Sequence, residues 1–250
     1  MLSASLSVQM SMIDRIKKIP YTPLQIAMHL YAWSALALLI FDLFTHHLTA
    51  NPIEAMEQLT GRHTIALLVL SLTCTPLNTL FGWRELLKRR RALGLYALMY
   101  ATIHVLIFVN LDYGLAWSLI IQTVIQRSYI VFGLIVFIIL IPLGLTSFDI
   151  WKMRLGKKWK LLHQAVYLAA PIAVLHYALA TKGDIFHLTG NIKEPLIYGG
   201  VVLLLLILRL PFIRRSFSSL RSRVVSLFFR WMSQTKLETQ KRLEDQRIRE

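Results

Sequence analysis

Apolar residues run along this chain in long unbroken blocks, separated by short polar segments. A helix that crosses a bilayer needs about 20 such residues. Six blocks meet that length to within a few residues: Leu24–Phe44, Thr64–Phe81, Leu93–Leu111, Tyr129–Phe148, Leu161–Ala180 and Pro195–Phe212. None needs an unpaired strand edge in lipid, so the pattern predicts an all-α fold, an integral membrane six-helix bundle. A shorter apolar run in "DYGLAWSLIIQTVIQR" predicts a short helix lying in one interface.

Charge sets the direction of the spans. Lys and Arg cluster in the N-terminal segment (Arg15, Lys17, Lys18), the second connection (Arg84, Lys88–Arg91), the fourth connection (Lys152–Lys160) and the tail from Arg209. Twenty-four of the 28 basic residues thus fall on one side, and only Arg62, Arg127, Lys182 and Lys193 on the other. The positive-inside rule makes the rich side cytoplasmic, with both termini there. The implied organisation is a cytoplasmic segment over 1–23, a six-span domain over 24–213 and a basic cytoplasmic tail over 214–250. The tail reads equally as an inner-leaflet helix held by Phe217, Leu220, Phe228 and Trp231 or as a frayed charged helix. The first residues carry no signal-peptide pattern.

Composition narrows the chemistry. The net charge of +15 follows the membrane topology rather than marking nucleic acid. A single cysteine, Cys74, excludes a disulfide framework and Cys-ligated clusters. Asp42 is the one acid clearly inside a block, which gives little support to a transporter with paired intramembrane charges.

Histidine is the residue type left to explain. Of eight, His46, His47, His63 and His187 fall in outer connections or at span ends and read as solvated. His29, near the inner end of the first block, reads as interfacial or packed. His104, His163 and His176 lie within spans, where lipid offers no partner. His104 stands thirteen residues past Arg91, about 20 Å from the inner border, and His176 sixteen past Lys160, about 24 Å. Equal depth on two helices suits a pair of axial ligands to haem iron. Zinc would want four ligands, and the blocks place no further Cys or carboxylate at that depth.

His163 is shallower, and Arg90 and Arg91 stand opposite it where a second haem would need a histidine. Thirteen residues also leave His163 and His176 about 140° apart on an ideal helix, with Pro171 between them. A histidine with two arginines suits an anion, and flavin mononucleotide offers a phosphate and an aromatic ring. Trp83, Trp151 and Trp159 lie near that level, with interfacial anchoring the favoured role for each.

The segments "TCTPLNTLFGWRELLKRRRALGLYALMYATIHVLIFVNLDYG", "LTSFDIWKMRLGKKWKLLHQAVYLAAPIAVLHY" and "KEPLIYGGVVLLLLILRLP" resemble the MsrQ (formerly YedZ) family, within the ferric reductase-like transmembrane superfamily. The resemblance runs from about Leu24 to Pro211, and its membrane histidines match His104, His163 and His176. It implies b-type haem and FMN, and electrons received from the quinone pool or a cytosolic flavin reductase. It also implies a non-catalytic subunit of the bacterial inner membrane that serves MsrP, a periplasmic molybdopterin reductase of methionine sulfoxide in envelope proteins. Three rival expectations stay open: a stand-alone ferric reductase of the same fold, a transporter or channel, and a purely structural membrane anchor for a partner, which leaves the matched depth of His104 and His176 unexplained.

Overall fold

The computed structural model describes residues 21–45, 50–181, 183–184, 189–217 and 219. His46, His47, His187 and the tail anchors Leu220, Phe228 and Trp231 lie outside them.

The chain forms α1 (Pro23–Thr45), α2 (Pro52–Phe81) and α3 (Arg84–Leu106), the last continuing as a π-helical turn over Ile107–Asp112. The short α4 (Trp117–Gln126) follows, then α5 (Ser128–Leu145), α6 (Asp149–Leu155), α7 (Lys157–Gln164) and α8 (Val166–Ala180). A two-residue antiparallel pair, Gly183–Asp184 with Thr189–Gly190, leads into α9 (Lys193–Ile207). A further short helix, α10, covers Pro211–Phe217. Five helical stretches are long and apolar enough to cross a membrane, and α9 with α10 makes a sixth only as a bent pair. The chain is a multi-pass, all-α membrane protein.

Local chemistry explains the boundaries. Asn51 caps α2 by accepting from the Glu54 backbone N–H at 3.3 Å, and Pro52 occupies the first turn, where it forfeits no bond. At the other end Gly82 takes φ +73°, a left-handed closure that glycine accepts without strain. Gly156, at φ +50°, turns the chain between α6 and α7.

Two expected boundaries need correction. The second span does not begin at Thr64: α2 starts three turns earlier at Pro52, because the Asn51–Pro52 cap launches a helix whose first turns are polar. The sixth span is not continuous over Pro195–Phe212. It stops at Ile207, and α10 leaves at 78° after a turn, since Pro211 lacks an N–H and its ring crowds a continuing helix.

Packing joins α2 to α3 and α5 to α8 most extensively, with α3 bridging the two pairs. Close approach rests on small residues, as in membrane bundles generally. Ala32, Ala97 and Ala169 are fully buried, and Leu67, Leu68 and Leu72 fill the space between them. Large apolar side chains such as Leu30, Phe41, Ile125 and Ile138 face outward, as lipid requires. Tyr100, 1% exposed, ties α1 to α3. Its hydroxyl donates to the Ala32 carbonyl at 2.6 Å and accepts from the Leu36 N–H at 3.1 Å. Those two groups are i and i+4 partners, so the phenol stands inside the backbone ladder of α1.

Tyr100→Phe is expected to lower stability in detergent by about 1–3 kcal/mol, because both backbone groups lose the hydroxyl. Thermal melting of the purified protein reads it.

Candidate functional site

The two deep histidines meet. His104 on α3 and His176 on α8 have ring centroids 6.3 Å apart, with planes inclined at 81°. Each ring is held from behind by a neighbouring helix. His104 Nδ1 lies 3.0 Å from the Glu57 carbonyl of α2 and 3.3 Å from Thr60 Oγ1. His176 Nδ1 lies 2.7 Å from the Tyr129 carbonyl of α5. A carbonyl only accepts, so Nδ1 carries the proton in both rings and Nε2 keeps its lone pair.

The same device serves both rings. Four residues after each acceptor carbonyl stands a glycine, Gly61 after Glu57 and Gly133 after Tyr129. A Cβ on Gly133 would stand 2.8 Å from His176 Cε1, and one on Gly61 3.4 Å from His104 Cε1. Each imidazole thus lies over a bare patch of helix, where it reaches a main-chain oxygen. Without the glycine at 133 the ring would be forced away from Tyr129.

Such hydrogen bonding orients the histidine ligands of metal sites, the second nitrogen turned to a backbone carbonyl. The ring separation fits as well. Two imidazoles on opposite sides of one metal ion, each about 2 Å from it, hold their centroids about 6 Å apart. No group of three or more His, Cys, Asp or Glu able to hold a metal occurs among the described residues. The donor set therefore suits an ion whose remaining ligands come from elsewhere, as in a porphyrin.

Sequence reasoning missed Glu57, Thr60, Gly61, Tyr129 and Gly133. It also placed no acidic residue at this depth, whereas the early start of α2 brings Glu57 there, its main-chain carbonyl meeting His104. The available signal was a glycine near the start of each apolar run, Gly61 and Gly133. His63, expected to be solvated, is packed instead. Its ring lies 5.7 Å from Tyr31 and 5.5 Å from Tyr100, because α2 already is helix at that point. His29 is packed as expected, with Nδ1 2.8 Å from Tyr96 Oη.

His163 belongs elsewhere. Ala165, between α7 and α8, keeps helical backbone angles (φ −58°, ψ −20°), so His163 and His176 stand on one continuous helical stretch, thirteen residues apart. His163 lines a cavity of about 530 Å³ with Arg90, Arg91, Lys152, Trp159 and Lys160. Trp159 stacks on it at 4.0 Å and donates from Nε1 to the Thr146 carbonyl at 2.8 Å. This corrects the anchoring role expected for Trp159, whereas Trp83 and Trp151 are exposed. His163 Nδ1 lies 3.1 Å from the Trp159 carbonyl. Its Nε2 is buried without a hydrogen bond of normal geometry, with the Leu143 carbonyl, which also accepts from Ser147 Oγ at 2.7 Å, nearby. Arg91 pairs with Asp149 at 3.2 Å, while Arg90 has no ion-pair partner among the described residues.

Comparison with known proteins follows the same lines. Residues 59–174 match the family model described as ferric reductase like transmembrane component. A protein of Rhodospirillum rubrum, named protein-methionine-sulfoxide reductase heme-binding subunit MsrQ, is 41% identical over 170 residues, 67% of this chain and 78% of its own length. A protein of the same name from Xanthomonas campestris pv. campestris is 37% identical over 159 residues, covering 64% and 70%. One from Xanthomonas axonopodis pv. citri is 36% identical over the same shares. No solved structure matches.

Gly133→Ala is expected to push the His176 ring off the Tyr129 carbonyl and to lower haem absorbance per protein severalfold. Gly61→Ala, with its looser 3.4 Å contact, is expected to do less. An absorbance ratio at the Soret band and at 280 nm compares the two variants.

Proposed function

The chain belongs to the MsrQ family of haem-binding subunits of protein-methionine-sulfoxide reductases, and on that premise we propose that His104 and His176 are the axial ligands of one b-type haem. The observation that carries this reading is the pair of Nδ1 contacts to the Glu57 and Tyr129 carbonyls. They aim two unprotonated nitrogens, from opposite helix pairs, into one space. A haem ligated there supplies one-electron redox chemistry between ferric and ferrous iron.

The protein's own part is to hold that chemistry in place. A haem held by both His104 and His176 would have no site left for oxygen and would be suited to outer-sphere transfer. The α2/α3 and α5/α8 pairs fix the ring planes and keep bulk water out. The chain itself is a non-catalytic electron-transfer subunit of the inner membrane. Its termini are cytoplasmic, with segment 1–23 and tail 214–250 on that side and 24–213 as the haem-binding domain. The positive-inside asymmetry supports that orientation.

The inner cavity is the donor side in this reading. Its size suits a nucleotide-sized ligand. Its lining of cations, a stacked Trp159–His163 pair and an orphaned His163 Nε2 favours an aromatic ligand bearing phosphate. FMN is such a ligand, with Arg90 and Arg91 toward the phosphate and His163 toward the ring. No second histidine lines the cavity among the described residues, which disfavours a bis-histidine haem there. Electrons enter on this side from quinol or a cytosolic flavin reductase. They leave on the other to periplasmic MsrP, which repairs methionine sulfoxide in envelope proteins.

His104→Ala and His176→Ala are each expected to abolish most of the Soret band and its shift on dithionite reduction. His163→Ala is expected to keep that band and to lose flavin fluorescence after mild extraction. Full haem in both of the first two variants would remove the ligand assignment. Unchanged flavin in the third would remove the inner-site assignment.

A further inference from the structure

The turn between α9 and α10 carries an arginine that the electron path does not use. Arg209 is half-buried where α9 ends. Its Nη2 donates to the Leu72 carbonyl of α2, and its guanidinium lies 4.6 Å over the Tyr167 ring of α8. These two contacts fix the plane of the group. Its Nε and Nη1 are buried without a hydrogen bond of normal geometry, although the Tyr167 hydroxyl also interacts with the group. Among the described residues no carboxylate forms an ion pair with it, and the other cation acting on it, Arg90, repels it.

A guanidinium withdrawn from water with two such donors is costly unless an anion meets it. A third orphan lies less than one helical turn along α2 from the Leu72 carbonyl that Arg209 meets. Thr75 stands three residues past Leu72, on the same face of α2, and its hydroxyl is buried without a partner. The three groups come from two elements and all suit oxygen acceptors. An arginine fork with a hydroxyl is a common way to hold phosphate oxygens.

The surroundings fit a lipid border. The 78° bend turns α10 away from the axis of α9. Phe212 is 82% exposed and Leu210 52%, while Arg214 and Arg215 are exposed beside them. A short helix leaving a span at this angle, with apolar and basic side chains together, lies along an interface.

We propose that Arg209, with Thr75, is a seat for a phosphate group at the inner membrane border, supplied by the headgroup of an anionic phospholipid. The inference rests on the orientation given above but not on the haem or flavin assignments. The seat ties α2, α8 and α9 together where the sixth span breaks, so its occupant stabilises the bundle from the cytoplasmic side.

The test uses the full chain, haem-loaded, in a non-ionic detergent. Dioleoylphosphatidylglycerol, dioleoylphosphatidylcholine or inorganic phosphate is added, and melting is followed by tryptophan fluorescence, with retained lipid counted by native mass spectrometry. Phosphatidylglycerol is expected to raise the melting point of the parent protein. Arg209→Gln is expected to weaken its binding by about tenfold, the loss typical of a charge-assisted hydrogen bond. Thr75→Val is expected to weaken it less, and it stands in if the arginine variant does not fold. Haem absorbance should be the same in all variants, which separates this test from that of the haem ligands. Equal phosphatidylglycerol binding by parent and variants would overturn the proposal. A response to inorganic phosphate alone would overturn the lipid source, and equal response to phosphatidylcholine the need for an anionic headgroup.

Discussion

Two hydrogen bonds from imidazole Nδ1 to main-chain oxygen govern the architecture of this protein. Histidine in a bilayer must be satisfied by the protein itself. Here His104 turns one nitrogen to the Glu57 carbonyl and His176 turns one to Tyr129, and both rings are thereby aimed at each other. The arrangement needs helices that pack in pairs, α2 on α3 and α5 on α8, so that each imidazole has a buttress. It needs glycine at 61 and 133, where a methyl group would stand against the ring. It also needs α2 to begin early, because Glu57 lies outside the apolar block that predicts the span.

The inner side is built on a different principle. Cations gather around a cavity of about 530 Å³, and the aromatic surface comes from Trp159 stacked on His163. His163 and His176 share one helical stretch, Lys157–Ala180, yet one ring faces this cavity and the other faces His104. One segment of chain therefore serves two environments, one between helices and one among cations. Arg209 marks a third polar position, its guanidinium 4.6 Å over the Tyr167 ring.

What the sequence made legible was set by long-range physical regularities. Block length gave the spans and basic asymmetry gave a direction. Residue rise placed His104 and His176 at one depth, and the rings do meet. Contacts that depend on backbone were not legible. A carbonyl has no side-chain signature, so Glu57 and Tyr129 were invisible as acceptors, and Gly133 read only as a small residue in an apolar run. His63 looked solvated because hydropathy placed the start of the span at Thr64, while the Asn51–Pro52 cap starts the helix at Pro52. The break at Pro211 was hidden by an apolar block that continues through it.

The central claim is that one iron is held by two crossed imidazoles. Electron paramagnetic resonance of the oxidised, purified protein tests it most directly. Ring planes at 81° predict a low-spin ferric signal with strongly spread g values. That signal should vanish when either His104 or His176 is replaced by alanine. A high-spin signal in the parent protein, or a low-spin signal that survives both replacements, would contradict the account.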